Sequence, residues 1–218
     1  MMRKILKIIN PVLKYLFKRY HSKVRKYRYG AIEVMVHPEV FPPHFTISTK
    51  ILLDFIKPIN LEGAKVLELG CGSGIISLFA SSKGALVTAS DINHIALEML
   101  EKASSKNKLP VYTLYSNLFD SIKEKQFDYI IINPPYYPKT AKNDREQAWF
   151  CGENFEYFEK LFKQLPSHIE NTKVFMILSE DCDLKRISNI AFKNKLKLII
   201  TLEKTVMLEK NFIYKICK

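Results

Sequence analysis

Residues 65–74 read KVLELGCGSG, an apolar run that passes straight into glycines at 70, 72 and 74. The leucine- and valine-bearing KVLEL is expected to be a strand, and the glycines let the backbone turn sharply into a helix from about Ser73. A ligand can approach such a turn closely, and the first N–H groups of the helix have no intrahelical partner, so a nucleotide-like cofactor is implied. The dinucleotide fingerprint GxGxxG would need glycine at position 75, where the chain has Ile75. Nicotinamide and flavin binding are thereby disfavoured, and an ExGxGxG pattern remains.

Outward from that turn, short apolar runs alternate with helical patterns, as in a parallel sheet covered on both faces. Expected strands are ALVTAS (85–90), VYTLY (111–115), FDYIII (127–132) and KVFMILS (173–179), with helices over 93–104, near 153–165 and near 183–194. KLKLIITLE and FIYKIC close the chain with a connection too short for a crossover helix, so they should pair antiparallel. Asp91 follows the second strand 21 residues after Gly70, where a carboxylate can accept from both ribose hydroxyls, with Ile92 against the adenine face.

With 218 residues and 47% hydrophobic content the chain can bury one substantial core. Cys71, Cys151, Cys182 and Cys217 form no CxxC pair and the five histidines show no ligand spacing, so no metal is expected and a reducing cytoplasm fits. The net charge of +12 is concentrated at one end: residues 1–28 hold ten of the 34 Lys/Arg and no Asp/Glu, leaving 24 basic against 22 acidic residues elsewhere. Ile5, Ile9, Val12, Leu16 and Tyr20 recur at helical spacing opposite Lys4, Lys7, Lys14 and Lys18, and Asn10-Pro11 divides the stretch into two short helices. Residues 1–30 therefore form a basic amphipathic helical extension ahead of a domain spanning 31–218. Its apolar stripe docks on the core, or its lysines meet RNA phosphates or an anionic membrane surface; an organellar transit peptide is the minor reading.

IINPPYYP (131–138) ends a buried run with Asn133, Pro134, Pro135, Tyr136 and Tyr137. Two prolines end a sheet ladder and stiffen the corner, which taken alone is a strand stop. The 139–154 segment that follows is long, polar and without clear periodicity, and holds the only tryptophan, Trp149.

VLELGCGSG, the acidic end of VTASDIN, SNLFD after the third strand and NPPY after the fourth together resemble the class I S-adenosylmethionine-dependent methyltransferases, in the amino-methyltransferase branch. The resemblance covers roughly residues 38–218 and implies a doubly wound, mostly parallel seven-stranded sheet with the last strand antiparallel. It implies S-adenosylmethionine held by Glu68, Gly70, Cys71, Gly72, Gly74, Asp91 and Ile92, with Asn117 and Leu118 at the adenine edge. Asn133, Pro134 and Tyr136 are its catalytic residues, and Pro135, Tyr137 and Trp149 its substrate contacts. VFPPHFTIST (40–49) resembles the pre-core segment that closes over the cofactor, with His44 and Thr46 as contacts, and Gly152-Glu153 is similar to a glycine-and-acid element of the glutamine methyltransferases.

The expected activity is N-methylation of a planar amide or exocyclic amino nitrogen, of RNA or a protein glutamine. A small-molecule or peptide N-methyltransferase is the alternative, and a catalytically silent binding subunit the third. An amide or base nitrogen is a poor nucleophile because its lone pair is delocalised, and acceptors at Asn133 and the Pro134 carbonyl would favour its pyramidal form.

Overall fold

The computed structural model describes residues 22–218 except positions 45, 125 and 207. The two helices expected within residues 1–20 lie outside the described residues. Arg25–Tyr29 is a strand (β1), so the end of the expected helical extension is corrected: it pairs antiparallel with β2 (Ile32–Val36). Alternation explains this, since Tyr27 and Tyr29 pack on the core while Lys26 and Arg28 point outward. Both cations meet Glu33, as does Lys106, and the three together hold the Glu33 carboxyl down at about 2. Asn107 completes the tie, accepting from the Glu33 N–H at 3.0 Å and donating to its carbonyl at 2.8 Å.

After α1 (Ile47–Ile56), which the sequence reading did not anticipate, the chain alternates strand and helix. The order is β3 (Lys65–Leu69), α2 (Ile75–Ser82), β4 (Leu86–Asp91), α3 (His94–Asn107), β5 (Tyr112–Tyr115) and β6 (Tyr129–Ile132). Then come α4 (Asp144–Gln147), α5 (Glu156–Gln164), β7 (Lys173–Ser179), α6 (Leu184–Lys193), β8 (Lys197–Val206) and β9 (Glu209–Cys217). The seven-stranded sheet runs β5-β4-β3-β6-β7-β9-β8, and β9 alone is antiparallel to the rest.

Successive side chains of the central strands serve opposite faces. Val66, Ile131, Phe175 and Ile177 join the core under α1, α2 and α3, while Leu67, Ile130, Ile132 and Met176 join the core under α5 and α6. Phe158, Leu161 and Phe162 give α5 its apolar stripe at helical spacing, and Ile187, Ile190 and Ala191 do the same for α6. Strand order reverses between β3 and β6, and the crevice beyond the carboxyl ends of such a pair is where open α/β sheets take their ligands. Leu69 of β3 lies beside Ile132 of β6, so the glycine turn and Asn133 leave the sheet side by side.

Candidate active site

The glycine turn is fastened to β4 by two bonds, with the N–H groups of Gly70 and Cys71 both donating to the Ser90 carbonyl at 2.9 Å. Gly70 has φ of 77°, and a Cβ built there would meet nothing within 4 Å, so its open side faces the cleft. Gly74, with φ of 70°, is different: a Cβ would overlap the Leu100 side chain, so glycine is needed there for close packing of α3 on α2.

Asp91 ties three segments together. Its Oδ2 accepts from the Gly72 N–H at 2.8 Å and its Oδ1 from the Asn93 N–H at 2.9 Å, and the Asn93 side chain in turn caps α3 by accepting from Ile95. Glu68, 4% exposed, shares the face of Val66 and accepts from both the backbone N–H and the hydroxyl of Ser77. Burial pushes its carboxyl up to about 8, against the lowering effect of the Ser77 bonds and with the nearby Asp91 charge adding to the rise.

Beyond β5, Ser116–Asp120 forms the adjoining wall, with Leu118 buried at φ of 56° and Asn117 exposed. Beyond β6, Tyr136 packs half-buried against the α5/α6 core with its ring 4.8 Å from that of Tyr137, and burial raises the Tyr136 hydroxyl well above its usual range. The 139–154 segment is ordered by this corner. Tyr137 donates its N–H to the Trp149 carbonyl at 3.1 Å and accepts from the Cys151 N–H at 3.0 Å, and α4 sits in between.

These walls enclose a cleft of about 500 Å³. Of the residues singled out in the sequence, Glu68, Gly70, Cys71, Gly72, Asp91 and Ile92 line it, as do Asn117, Leu118, Asn133 and Pro135. Gly74, Pro134, Tyr136, Tyr137 and Trp149 do not. Trp149 instead packs on Phe41, ring centroids 4.7 Å apart, and Phe41 does line the cleft. His44 and Thr46 fasten the pre-core segment rather than face the cleft: His44 Nε2 bonds the Lys26 carbonyl at 2.9 Å, and the Thr46 hydroxyl donates to the Pro42 carbonyl at 3.2 Å. The carboxylate beside Gly152 that reaches the cleft is Glu156, not Glu153, and it accepts from the Asn154 N–H at 3.0 Å.

Sequence reasoning also missed Thr49, Tyr157 and Lys160, which reach the cleft from α1 and α5. Thr49 closes the VFPPHFTIST stretch, whose resemblance pointed to His44 and Thr46 instead, and for α5 only its position after the NPPY corner was a signal. Among the described residues no group of three or more His, Cys, Asp or Glu could hold a metal, and no helix is long and apolar enough to cross a membrane.

A strand order reversing at a glycine turn, an acidic residue ending the next strand and an antiparallel seventh strand define the class I methyltransferase fold. The family model of the methyltransferase small domain matches residues 31–152, and the chain belongs to that family. It is an S-adenosylmethionine-dependent N-methyltransferase. A Methanocaldococcus jannaschii relative, provisionally named a protein N5-glutamine methyltransferase, is 30% identical over 154 residues, 67% of this chain and 75% of that one. The ribosomal RNA small subunit methyltransferase C of Mannheimia succiniciproducens is 36% identical over 131 residues, 59% of this chain and 37% of that one. Among solved structures, the E. cuniculi Mtq2–Trm112 complex, responsible for methylation of the eRF1 translation termination factor, superposes with a TM-score of 0.64. It is 21% identical, covering 83% of this chain and 99% of that one, a likeness of fold.

Proposed function

We propose that the chain transfers a methyl group to a side-chain amide nitrogen of a protein glutamine, with the cofactor in the cleft beyond β3 and β6. The observation that carries this reading is the adjacency of Gly70 and Asn133 across the β3–β6 pair, which sets a cofactor turn and an acceptor corner within one cleft. S-adenosylmethionine supplies an electrophilic methyl on a positively charged sulfonium, whose departure needs no acid. The residues present fit it. A cleft of about 500 Å³ is of the size that small-molecule sites occupy. Each carboxylate oxygen accepts more than one hydrogen bond, so Asp91 can hold the glycine turn and a ribose together.

At the acceptor corner, the Asn133 side-chain oxygen and the Pro134 carbonyl each take one N–H of the planar amide. The lone pair is thereby turned toward the methyl, so that the N–C bond forms as the S–C bond breaks and the proton shed by the methylated nitrogen passes to water, and the two prolines keep both oxygens fixed. Tyr136 and Tyr137, packed on each other outside the cleft lining, back the corner rather than face the acceptor.

A protein acceptor is favoured because the glutamine relative is matched over three quarters of its length, whereas the chain spans little more than a third of the ribosomal RNA relative. The second reading, an exocyclic amino group of RNA, is favoured by the higher identity to that relative and by the basic residues 1–28. Labelled-methyl transfer to fractionated cell protein, RNA and metabolites tests both. Label in protein, on glutamine, supports the first; label confined to RNA replaces it with the second; no transfer and no cofactor binding overturns both.

A further inference from the structure

The wall formed by Ser116–Asp120 stands in a conformation that a leucine rarely takes. Leu118 has φ of 56° with a buried side chain, and a Cβ disfavours that left-handed region. Inside the turn, the Ser116 hydroxyl donates to the Leu118 carbonyl at 2.7 Å and accepts from the Ser121 N–H at 3.0 Å. The Ser116 N–H donates to the Asp91 carbonyl at 3.0 Å, which binds the turn to the strand end that carries the cleft carboxylate.

The Asp120 N–H also donates to the Asn117 carbonyl at 3.3 Å, across Leu118, and a further hold comes from outside the turn, from the last residue of α5. Gln164 Oε1 accepts from the Phe119 N–H at 3.2 Å, directly after the left-handed residue, and Gln164 Nε2 donates to Asp120 Oδ1 at 2.7 Å. The two partners fix the amide's orientation: reversed, it would set an NH₂ against an N–H and an oxygen against a carboxylate. Lys160, one helical turn earlier and lining the cleft, pairs with the other oxygen of Asp120 at 2.6 Å. The clamp is therefore α5 on one side and the turn on the other, 45 residues apart in sequence at its Phe119–Gln164 bond.

We propose that Gln164 is a positioning residue for the cofactor: by clamping Phe119 and Asp120 it presets the Asn117–Leu118 wall to receive the adenine edge. The proposal rests on the reading of the cleft as the S-adenosylmethionine site. A wall already set in its bound form spares the ligand the ordering cost that a loose turn would exact.

The test uses the full chain and two probes, S-adenosylhomocysteine and 5′-methylthioadenosine, which share the adenosine end and differ in the amino-acid end. Gln164→Met keeps the length and removes both bonds. Gln164→Glu keeps an acceptor for Phe119 and sets a second carboxylate against Asp120. Calorimetric titration well below each variant's melting temperature should show Gln164→Met weakening both probes by the same factor, about tenfold, and Gln164→Glu by about threefold. A Gln164→Met protein that melts lower but binds both probes as the wild type does has lost a structural contact only, and the proposal is overturned. If Met is unfolded, Glu decides in the same way. A wild-type protein that binds neither probe overturns the reading of the cleft itself, an outcome distinct from a failure of Gln164 alone.

Discussion

Glu68 gives the protein a pH dependence that can be worked out in advance. Its carboxyl is buried between β3 and α2, with Ser77 as its hydrogen-bonding partner and Asp91 nearby, and its value stands at about 8 against an ordinary 4.5. At neutral pH the folded protein therefore carries it protonated, while the unfolded chain has released that proton. The sign follows: the folded state binds more protons, so the stabilising contribution is complete below about pH 4.5 and is lost as pH rises to about 8. With about 1.4 kcal/mol for each tenfold change in proton concentration, raising the pH from about 5 to about 8 should remove on the order of 3–4 kcal/mol. Glu68→Gln has no proton to lose, and comparison with wild type cancels the titration of other groups. Urea denaturation of both proteins between those pH values should show the wild type losing that amount relative to the variant. Parallel profiles would refute the assignment of a buried, protonated Glu68.

Other changes read out other parts of the site. Gly74→Ala should lower stability by about 2–4 kcal/mol, combining a left-handed backbone with overlap on Leu100, and a melting temperature within a degree of wild type would contradict it. Asp91→Ala should weaken S-adenosylhomocysteine binding by well over tenfold, since a hydrogen bond to a charged group contributes about 1.5–3 kcal/mol; equal affinity by calorimetry removes Asp91 from the ribose. Removing residues 1–21 leaves the β1–β2 hairpin in place, and if that segment meets phosphates, substrate binding should become less salt-dependent with cofactor affinity unchanged.

The centre of the sheet was legible because β3, β4, β6 and β7 are apolar runs bounded by breaks, and KVLEL and KVFMILS match β3 and β7 residue for residue, whereas β8 and β9 extend into the polar EKTV and EKN beyond the apolar patterns. The β1–β2 hairpin was not legible. In RKYRY the cations that lie outside, Lys26 and Arg28, alternate with tyrosines that pack inside, and the same cations extend a helical charge pattern from residues 1–20. Nor was α1, whose buried Ile51, Leu52, Leu53 and Ile56 follow a proline-rich stretch and form no motif. Within the site, Gly70 and Asp91 stand out by their spacing at strand ends and Asn133 through the resemblance carried by NPPY, and all three line the cleft. Tyr157 and Lys160 were not legible, because α5 brings them to the cleft from a distant part of the chain, and neither was Gln164, which α5 sets against the wall residues Phe119 and Asp120. Trp149 stands out by composition as the only tryptophan, in a polar segment, and in the fold its carbonyl accepts from the Tyr137 N–H while its ring packs on Phe41.

The central claim is that the Asn133 corner activates a nitrogen for methyl transfer. Its most direct test is the single-turnover rate with the cell fraction that the wild-type protein labels, compared across wild type, Asn133→Asp and Asn133→Ala at saturating S-adenosylmethionine. Loss of one preorganised partner typically costs about 10²–10³ in rate, so Ala should fall by that factor, while Asp, which keeps an oxygen acceptor, should retain part of the activity. Cofactor affinity should be the same in all three. Equal rates for Ala and wild type would make Asn133 a turn residue, and the corner at IINPPYYP nothing more than the end of a strand.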